Sequence, residues 1–420
     1  MSISDDKKHI WHPLTQHQLY PNHILIKKAK GTLLYDDNNK EYIDAISSWY
    51  TCMYGHCNPY ITSKVAEQMN KLDHVVFTGF THEPATKLAK ELMSILPNNQ
   101  AKLFFSDNGS TSVDIAIKMA LQYHCNIGNK KNTLIAFEDG FHGDTFGAMS
   151  VSGLSIYNGP FKDHFLDVKR IPVPRESNLS EVEEKMRKII NDNEVAAFIY
   201  EPLVQGAAGM KMHEPKHLST LLEIAKKNHI ITIADEVMTG FGKTGRYFAS
   251  EFMNELPDII CLSKSLTGGL VPMAITSCSQ SIYNAFLSSE MEKGFFHGHT
   301  YSANPTSCTA AIASIELLKS NEIQNNIKRI SQKHQEFIHR IKEHPKVKQA
   351  RQQGIILALD FHNETDRYGK LRYRLFDFYM KEGVYLRPLG NTVYILAPYV
   401  ISDKELLKIY SVIEKSFDLV

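Results

Sequence analysis

The sequence predicts an α/β fold: a large, mostly parallel sheet flanked by helices, with a smaller α+β domain contributed by the two chain ends. Three observations lead there. Short apolar runs recur through the middle of the chain, each bounded by turn residues, and read as strands buried on both faces. Segments with apolar residues at helical spacing separate them, so strands and helices alternate. Beyond residue 320 the order becomes helix, strand, helix, strand, strand, helix, an α+β signature. The expected division is 1–50 as the N-terminal segment of the smaller domain, 51–310 as the large domain, and 311–420 as the C-terminal part of the smaller one.

Composition sets the outer limits. The chain has 420 residues, 43% apolar and 22% charged, enough for a sizeable core in two or three domains. A net charge of +1 gives no reason to expect nucleic acid or an anionic membrane as partner. No run approaches the roughly 18 apolar residues of a membrane span. The polar N-terminus lacks a signal-peptide core, so a cytoplasmic location is expected. Six cysteines are scattered and read as free thiols rather than as zinc ligands. No metal is expected.

Taken in order, the first fifty residues are irregular and then strand-like. Trp11-His12-Pro13-Leu14 is a proline-broken loop, and 33–44 reads as a hairpin around the polar turn Asp36-Asp37-Asn38-Asn39. Ser47-Ser48-Trp49-Tyr50 follows; aromatics beside small polar residues stand at a core edge or line a pocket. Helices are expected over about 58–70 and 84–96. A βα unit then stands out: a strand over 102–105, the turn Ser106-Asp107-Asn108-Gly109-Ser110, and a helix over 111–124. Gly109 and Ser110 thus lie at a helix N-terminus, where free N–H groups and the macrodipole favour an anion. Such a turn also serves as an ordinary cap.

The next strand, 134–137, leads to Asp139-Gly140-Phe141-His142-Gly143-Asp144-Thr145, where Phe141 can cover a planar ligand or simply pack a turn. Residues 153–193 read as loop plus a charged helix near 181–191. A buried strand over 196–200 ends at Glu201-Pro202, and a helix over about 216–228 precedes the central stretch. There an apolar run, 230–234, ends in Asp235-Glu236. A second, 259–262, delivers Ser263-Lys264-Ser265. Open α/β sheets build ligand sites at strand C-terminal ends, and both residues stand there. A strand over 274–276 follows. Next comes the glycine- and aromatic-bearing segment Phe295-Phe296-His297-Gly298-His299-Thr300-Tyr301, then a helix over 304–319. His297 and His299 are too close together to make a good zinc pair unaided. In the last hundred residues a strand is expected over 354–361, others over 384–387 and 392–396, and a final helix from Asp403. Arg387 lies between two of those strands and can clamp a carboxylate or form a surface ion pair.

An acid and an amine leaving buried strands together suggest a specific chemistry. A lysine in a dry site loses its proton more easily and can form a Schiff base. A carboxylate beside a pyridine nitrogen keeps that nitrogen protonated and makes the ring an electron sink. Together, Asp235 and Lys264 describe a pyridoxal phosphate site. Two other readings compete. Gly240-Phe241-Gly242-Lys243-Thr244-Gly245 matches the G-x-G-x-x-G of NAD-dependent oxidoreductases, but five residues separate it from its strand. An ATPase reading needs glycine where Val237 stands, and its two elements are in the wrong order.

With these segments assembled, the chain resembles the fold-type I, class III pyridoxal phosphate aminotransferases from Trp11 to about Pro398. The resemblance rests on an apolar strand ending in Asp235-Glu236, the segment Gly240 to Gly245, and Lys264 within Ser263-Lys264-Ser265-Leu266-Thr267-Gly268-Gly269. Within the class, five segments resemble the branch of biotin biosynthesis that aminates 8-amino-7-oxononanoate: Trp11-His12-Pro13, Ser47-Ser48-Trp49, Lys118 to Tyr123, Asp139 to Ser150, and Leu386 to Gly390. The resemblance implies that Lys264 carries pyridoxal 5′-phosphate and shuttles the proton, and that Asp235 pairs with the ring nitrogen. It implies that Gly109 and Ser110 hold the phosphate and Phe141 stacks on the ring. Thr300 would come from the other chain of a homodimer with shared sites. Trp49, Tyr50, Gly298 and His299 would line the substrate pocket, and Arg387 would bind the keto acid's carboxylate. The implied donor is S-adenosylmethionine, with L-lysine as the alternative. Leu14 stands where adenosylmethionine-using forms usually carry tyrosine, and Tyr50 replaces a second tryptophan. His297-Gly298-His299 resembles the lysine-using branch.

Overall fold

The computed structural model describes residues 3–20, 22–363 and 367–420. Its centre is a seven-stranded sheet in the spatial order Gln100–Ser106, Ala274–Ser279, Ile259–Leu262, Ile231–Asp235, Val195–Tyr200, Thr133–Phe137 and Val168–Ile171. From Ile259–Leu262 to Val168–Ile171 every neighbouring pair is parallel. Ala274–Ser279 runs antiparallel to both its neighbours. The connection from Leu262 back to Ala274 holds one short 3₁₀ turn, Lys264–Thr267, and no crossover helix of the kind a parallel return needs.

Apolar sequence accounts for the sheet's position. Val195–Tyr200, Ile231–Asp235 and Ile259–Leu262 are buried at every residue. Side chains alternate between the two faces. Ile199, Ile233 and Ile259 pack with Val113, Ile117 and Ala120 of the helix Gly109–Asn126. Phe198, Ala234 and Ile260 join the larger core with Leu221 and Leu222 of the helix Pro215–Lys227. Each such fully buried isoleucine or phenylalanine contributes about 1.5–3 kcal/mol relative to exposure. A sheet covered on both faces is open only at its edges, and the C-terminal edge is where the polar residues collect.

Chain ends build the smaller part. The strands Ile26–Lys30, Leu33–Asp36 and Glu41–Asp44 form a meander, and Glu41–Asp44 pairs in parallel with Val384–Tyr385. A second sheet joins Val347–Gln353, Ile356–Phe361 and Thr392–Ile395, backed by the helices Asn321–Ile341 and Asp403–Lys415. Among the described residues no helix is long and apolar enough to cross a membrane.

Four of the segments that depart from the sequence reading stand out. A helix, Ile3–His9, stands in the stretch read as irregular; its residues are polar and none is buried. Val168–Ile171 lies in the region read as loop plus helix, and Val347–Gln353 was not anticipated. Both are edge strands with Lys, Arg or Gln among their residues, so their composition hides them. The fourth is Ser47–Tyr50, a left-handed turn in which all four residues have positive φ, from 46° to 73°. Left-handed backbone costs an L-residue about 1–2 kcal/mol. The turn persists because its surroundings hold it. Ser47 Oγ donates to the buried Leu396 carbonyl at 2.7 Å, and Ser48 Oγ donates to Asp44 Oδ2 at 3.0 Å. Backbone bonds from Tyr50 N to Ile46 O and from Thr51 N to Ser47 O close it at 2.9 Å each.

Candidate active site

Loops at the C-terminal edge of the sheet meet the left-handed turn in one cleft of about 660 Å³. Lys264, Asp235, Gly109, Ser110, Phe141, Trp49 and Tyr50 all line it, so residues from five separated segments converge. Gly298, His299, Thr300 and Arg387 do not line it within this chain. Arg387 lies with its guanidinium 4.7 Å from the ring centre of Trp49, a lining residue. His299 Nε2 stands 3.6 Å from Asp107, itself a lining residue. Gly298 and Thr300 are exposed.

Asp235 ends its strand nearly buried, at 4% exposure. One carboxylate oxygen accepts the Val237 amide at 3.0 Å, and the other lies 2.7 Å from His142 Nδ1. These two bonds fix the carboxylate's orientation. Lys264 follows the next strand with φ at 49°, in the left-handed region, and its amine lies 5.8 Å from the Tyr50 ring centre. Burial lowers the Lys264 pKa, while the charges of Asp235 and Glu201 act in the opposite sense. The balance moves the amine toward its neutral, nucleophilic form.

Glu201 closes the strand Val195–Tyr200 and accepts the amides of Phe141 and Gly206, each at 3.1 Å. Burial pushes its pKa up to about 7; the nearby Asp235 charge adds to the rise and His142 works against it. Behind Lys264 lies a second amine. Lys243 is fully buried, donates to Gly240 O at 2.7 Å, and also bonds the Ser265 hydroxyl. Burial and the neighbouring Lys264 charge hold its pKa well below the usual lysine range.

The helix Gly109–Asn126 points its N-terminus into the cleft. Asn108 caps it reciprocally with Thr111, Thr111 N reaching Asn108 Oδ1 at 3.1 Å. Gly109 and Ser110 in the first turn, whose amides have no intrahelical partner, line the cleft. Gly143 crosses directly over Ser110 with φ at 130°; a Cβ there would meet Ser110 Oγ at 2.0 Å.

A class-III aminotransferase family model matches residues 15–417. The chain belongs to the class-III aminotransferases. It is 41% identical to the adenosylmethionine-8-amino-7-oxononanoate aminotransferase of Synechococcus elongatus, with 98% of each chain covered. It is 36% identical to the Staphylococcus aureus protein of the same name, over 98% of this chain and 96% of that one. Among solved structures, that enzyme from Methanocaldococcus jannaschii superposes with a TM-score of 0.95 at 32% identity, covering 100% of this chain and 98% of that one. An amine transaminase from an uncultivated Pseudomonas species, solved with PLP bound, gives a TM-score of 0.91 at 26% identity, with 98% of each chain covered.

The fold is therefore the fold-type I transferase architecture, and the protein is a pyridoxal-phosphate-dependent transaminase. Its cleft suits that cofactor. A capped helix end, with Gly109 and Ser110 lining the cleft and Gly143 packed closely on Ser110, matches a phosphate. An oriented buried carboxylate matches a protonated ring nitrogen, and a lysine of lowered pKa matches the carbonyl carbon.

Sequence reasoning left several neighbours of this class-III site without a role. His142 stands beside Phe141 in its loop with no role of its own in the sequence, yet it bonds Asp235 directly. Glu201 carries the same signature as Asp235, an acid at the end of an unbroken apolar strand, and could have been found by it. Tyr157 and Arg367 also line the cleft; Arg367 lies 5.1 Å from the Tyr157 ring centre and donates to the Ala207 carbonyl. Both sit in polar stretches with no periodicity to mark them.

Proposed function

We propose that this chain transfers an amino group from S-adenosylmethionine to 8-amino-7-oxononanoate, giving 7,8-diaminononanoate in biotin biosynthesis. The observation that carries the proposal is the end-to-end likeness to relatives bearing that activity in their names. The open cleft, walled by Trp49, Tyr50 and Leu14, supports it by offering apolar surface to a long aliphatic acceptor.

Within that reading Lys264 holds the cofactor through Nζ and, once freed by the incoming amine, removes and returns the proton at the reacting carbon. Asp235, oriented by His142, keeps a proton on the ring nitrogen. Pyridoxal 5′-phosphate, when bound, supplies the electron sink for the carbon being deprotonated. Gly109 and Ser110 take the phosphate, joined by Thr300 of the partner subunit in a homodimer with shared sites. Phe141 covers the ring and, with Tyr50 beneath the lysine, excludes water. Gly298 and His299 complete the substrate wall, and Arg387, braced on Trp49, receives the acceptor's carboxylate. The division into 1–50, 51–310 and 311–420 then puts Lys264, Asp235, Gly109, Ser110 and Phe141 on the large domain and Trp49, Tyr50 and Arg387 on the smaller one.

A second reading keeps the acceptor and takes L-lysine as donor. It is favoured by the segment His297-Gly298-His299, which resembles the lysine-using branch. One titration separates the two. The visible band of the lysine-bound cofactor is followed while S-adenosylmethionine or L-lysine is added, and the true donor discharges it. A band that neither amine discharges overturns the donor assignments. Failure of the discharged enzyme to aminate 8-amino-7-oxononanoate overturns the acceptor.

A further inference from the structure

Outside the cleft, the N-terminal arm gathers Asp6, His12 and His23. One ligand atom from each lies within 4.8 Å of the other two. Asp6 Oδ2 is 2.9 Å from His12 Nε2, and the ring centres of His12 and His23 are only 3.7 Å apart. His17 borders the group, 5.8 Å and 6.0 Å from the two rings. Its Nε2 accepts the His12 amide at 3.0 Å, so it shapes the loop rather than joining the set.

The arrangement is held by the backbone on both sides. Asp6 belongs to the helix Ile3–His9, and Lys7 of that helix donates to Asn22 Oδ1 at 2.9 Å. This draws the helix against the segment that carries His23. The Tyr20 ring stacks on Tyr373 at 4.0 Å and anchors that segment to the body of the protein. All three side chains of the group are half-buried, shielded from bulk water yet reachable by an ion.

Two imidazoles and one carboxylate are the protein ligands of open, three-residue zinc sites. The carboxylate offsets charge, and neutral imidazoles supply the borderline-soft nitrogens that zinc favours. We propose that Asp6, His12 and His23 bind a zinc ion, with water in the fourth position. The site has a structural reach. Pro13 and Leu14, which line the cleft, follow His12 directly. An ion held between the helix Ile3–His9 and His23 ties down both ends of the loop that forms this rim. The inference does not depend on which amine or acceptor the cleft takes.

The test uses cofactor-loaded enzyme and Zn²⁺ alone, titrated in competition with a chromogenic chelator. One zinc per chain is expected, with an affinity in the micromolar range or tighter. His23→Ala and Asp6→Asn should each weaken binding by about tenfold or more, while His9→Ala, on the same arm but outside the set, should leave it unchanged. Zinc should slow tryptic cleavage after Lys7 and Lys8 in the wild type and not in His23→Ala, whose zinc-free turnover should equal that of the wild type. Absence of uptake, or equal weakening by His9→Ala and His23→Ala, overturns the site. So does zinc protection that survives His23→Ala.

Discussion

Replacing Asp44 by asparagine should loosen the wall of the active site from behind. Asp44 is fully buried and accepts from the Ile46 amide at 3.2 Å, the Ser48 hydroxyl at 3.0 Å and the His56 ring at 2.8 Å. Burial alone would lower the His56 pKa. The bond to Asp44, helped by Cys52, outweighs that and pushes it up to about 10. Removing one partner of a buried ion pair costs about 3–5 kcal/mol. An unfolding entropy of about 2.1 cal/mol/K per residue gives roughly 0.9 kcal/mol/K for 420 residues, so Tm should fall by about 3–6 °C. The sign of the pH dependence follows from the raised pKa. The His56 contribution is fully present below pH 6.5 and is lost as pH rises through 10. The gap between wild type and Asp44→Asn should therefore be widest near pH 6.5 and narrow toward pH 10. Scanning fluorimetry at fixed protein and cofactor concentration reads this directly. Because Trp49, Tyr50 and Thr51 hang on the same turn, KM for the acceptor should rise as well. An unchanged Tm, or a gap that stays constant up to pH 10, would refute the account of the turn.

Four further outcomes are expected. Lys264→Ala should abolish amino transfer and the cofactor's lysine-bound absorbance band while leaving the circular dichroism spectrum intact; normal turnover would remove Lys264 from the chemistry. Gly143→Ala should cut cofactor affinity by tenfold or more, since the new methyl would lie 2.0 Å from Ser110 Oγ; equilibrium dialysis against the cofactor measures it. Arg387→Ala should raise KM for the keto acid far more than KM for the donor; equal effects would make Arg387 merely a brace for Trp49, and a larger effect from Arg367→Ala would move the carboxylate site there. Glu201→Gln should flatten the stability profile of cofactor-free enzyme. The wild-type Glu201 pKa is raised to about 7, so its contribution is present below pH 4.5 and is lost as pH rises through 7; equal slopes in both proteins would contradict it.

How much was legible depended on where each residue's constraint comes from. Asp235 and Lys264 could be read because unbroken apolar strands deliver them to a sheet edge, and that pattern is local in sequence. Gly109 and Ser110 were legible for the same reason, between a short strand and a periodic helix. The turn at Ser47–Tyr50 was not. Neither serine nor the aromatics favour left-handed backbone, and the groups that impose it are Asp44 and the distant Leu396 carbonyl. Edge strands such as Val168–Ile171 escaped because half-exposed polar residues carry no strand signal. Asp6, His12 and His23 have no metal-motif spacing; only the fold of the arm brings them together.

The parallel pairing of Glu41–Asp44 with Val384–Tyr385 has a consequence for how the protein is made. The Ser47 hydroxyl bonds a carbonyl 349 positions further along the chain. On the ribosome the N-terminal hairpin therefore leaves the exit tunnel long before its neighbouring strand exists. Throughout that interval it presents an unpaired edge, the kind of surface that recruits other nascent chains or chaperones. The central sheet can assemble on schedule, but the aromatic wall of the cleft sets only when the last part of the chain arrives. A message truncated before Val384 would yield a protein with most of its core and an unfinished cleft wall.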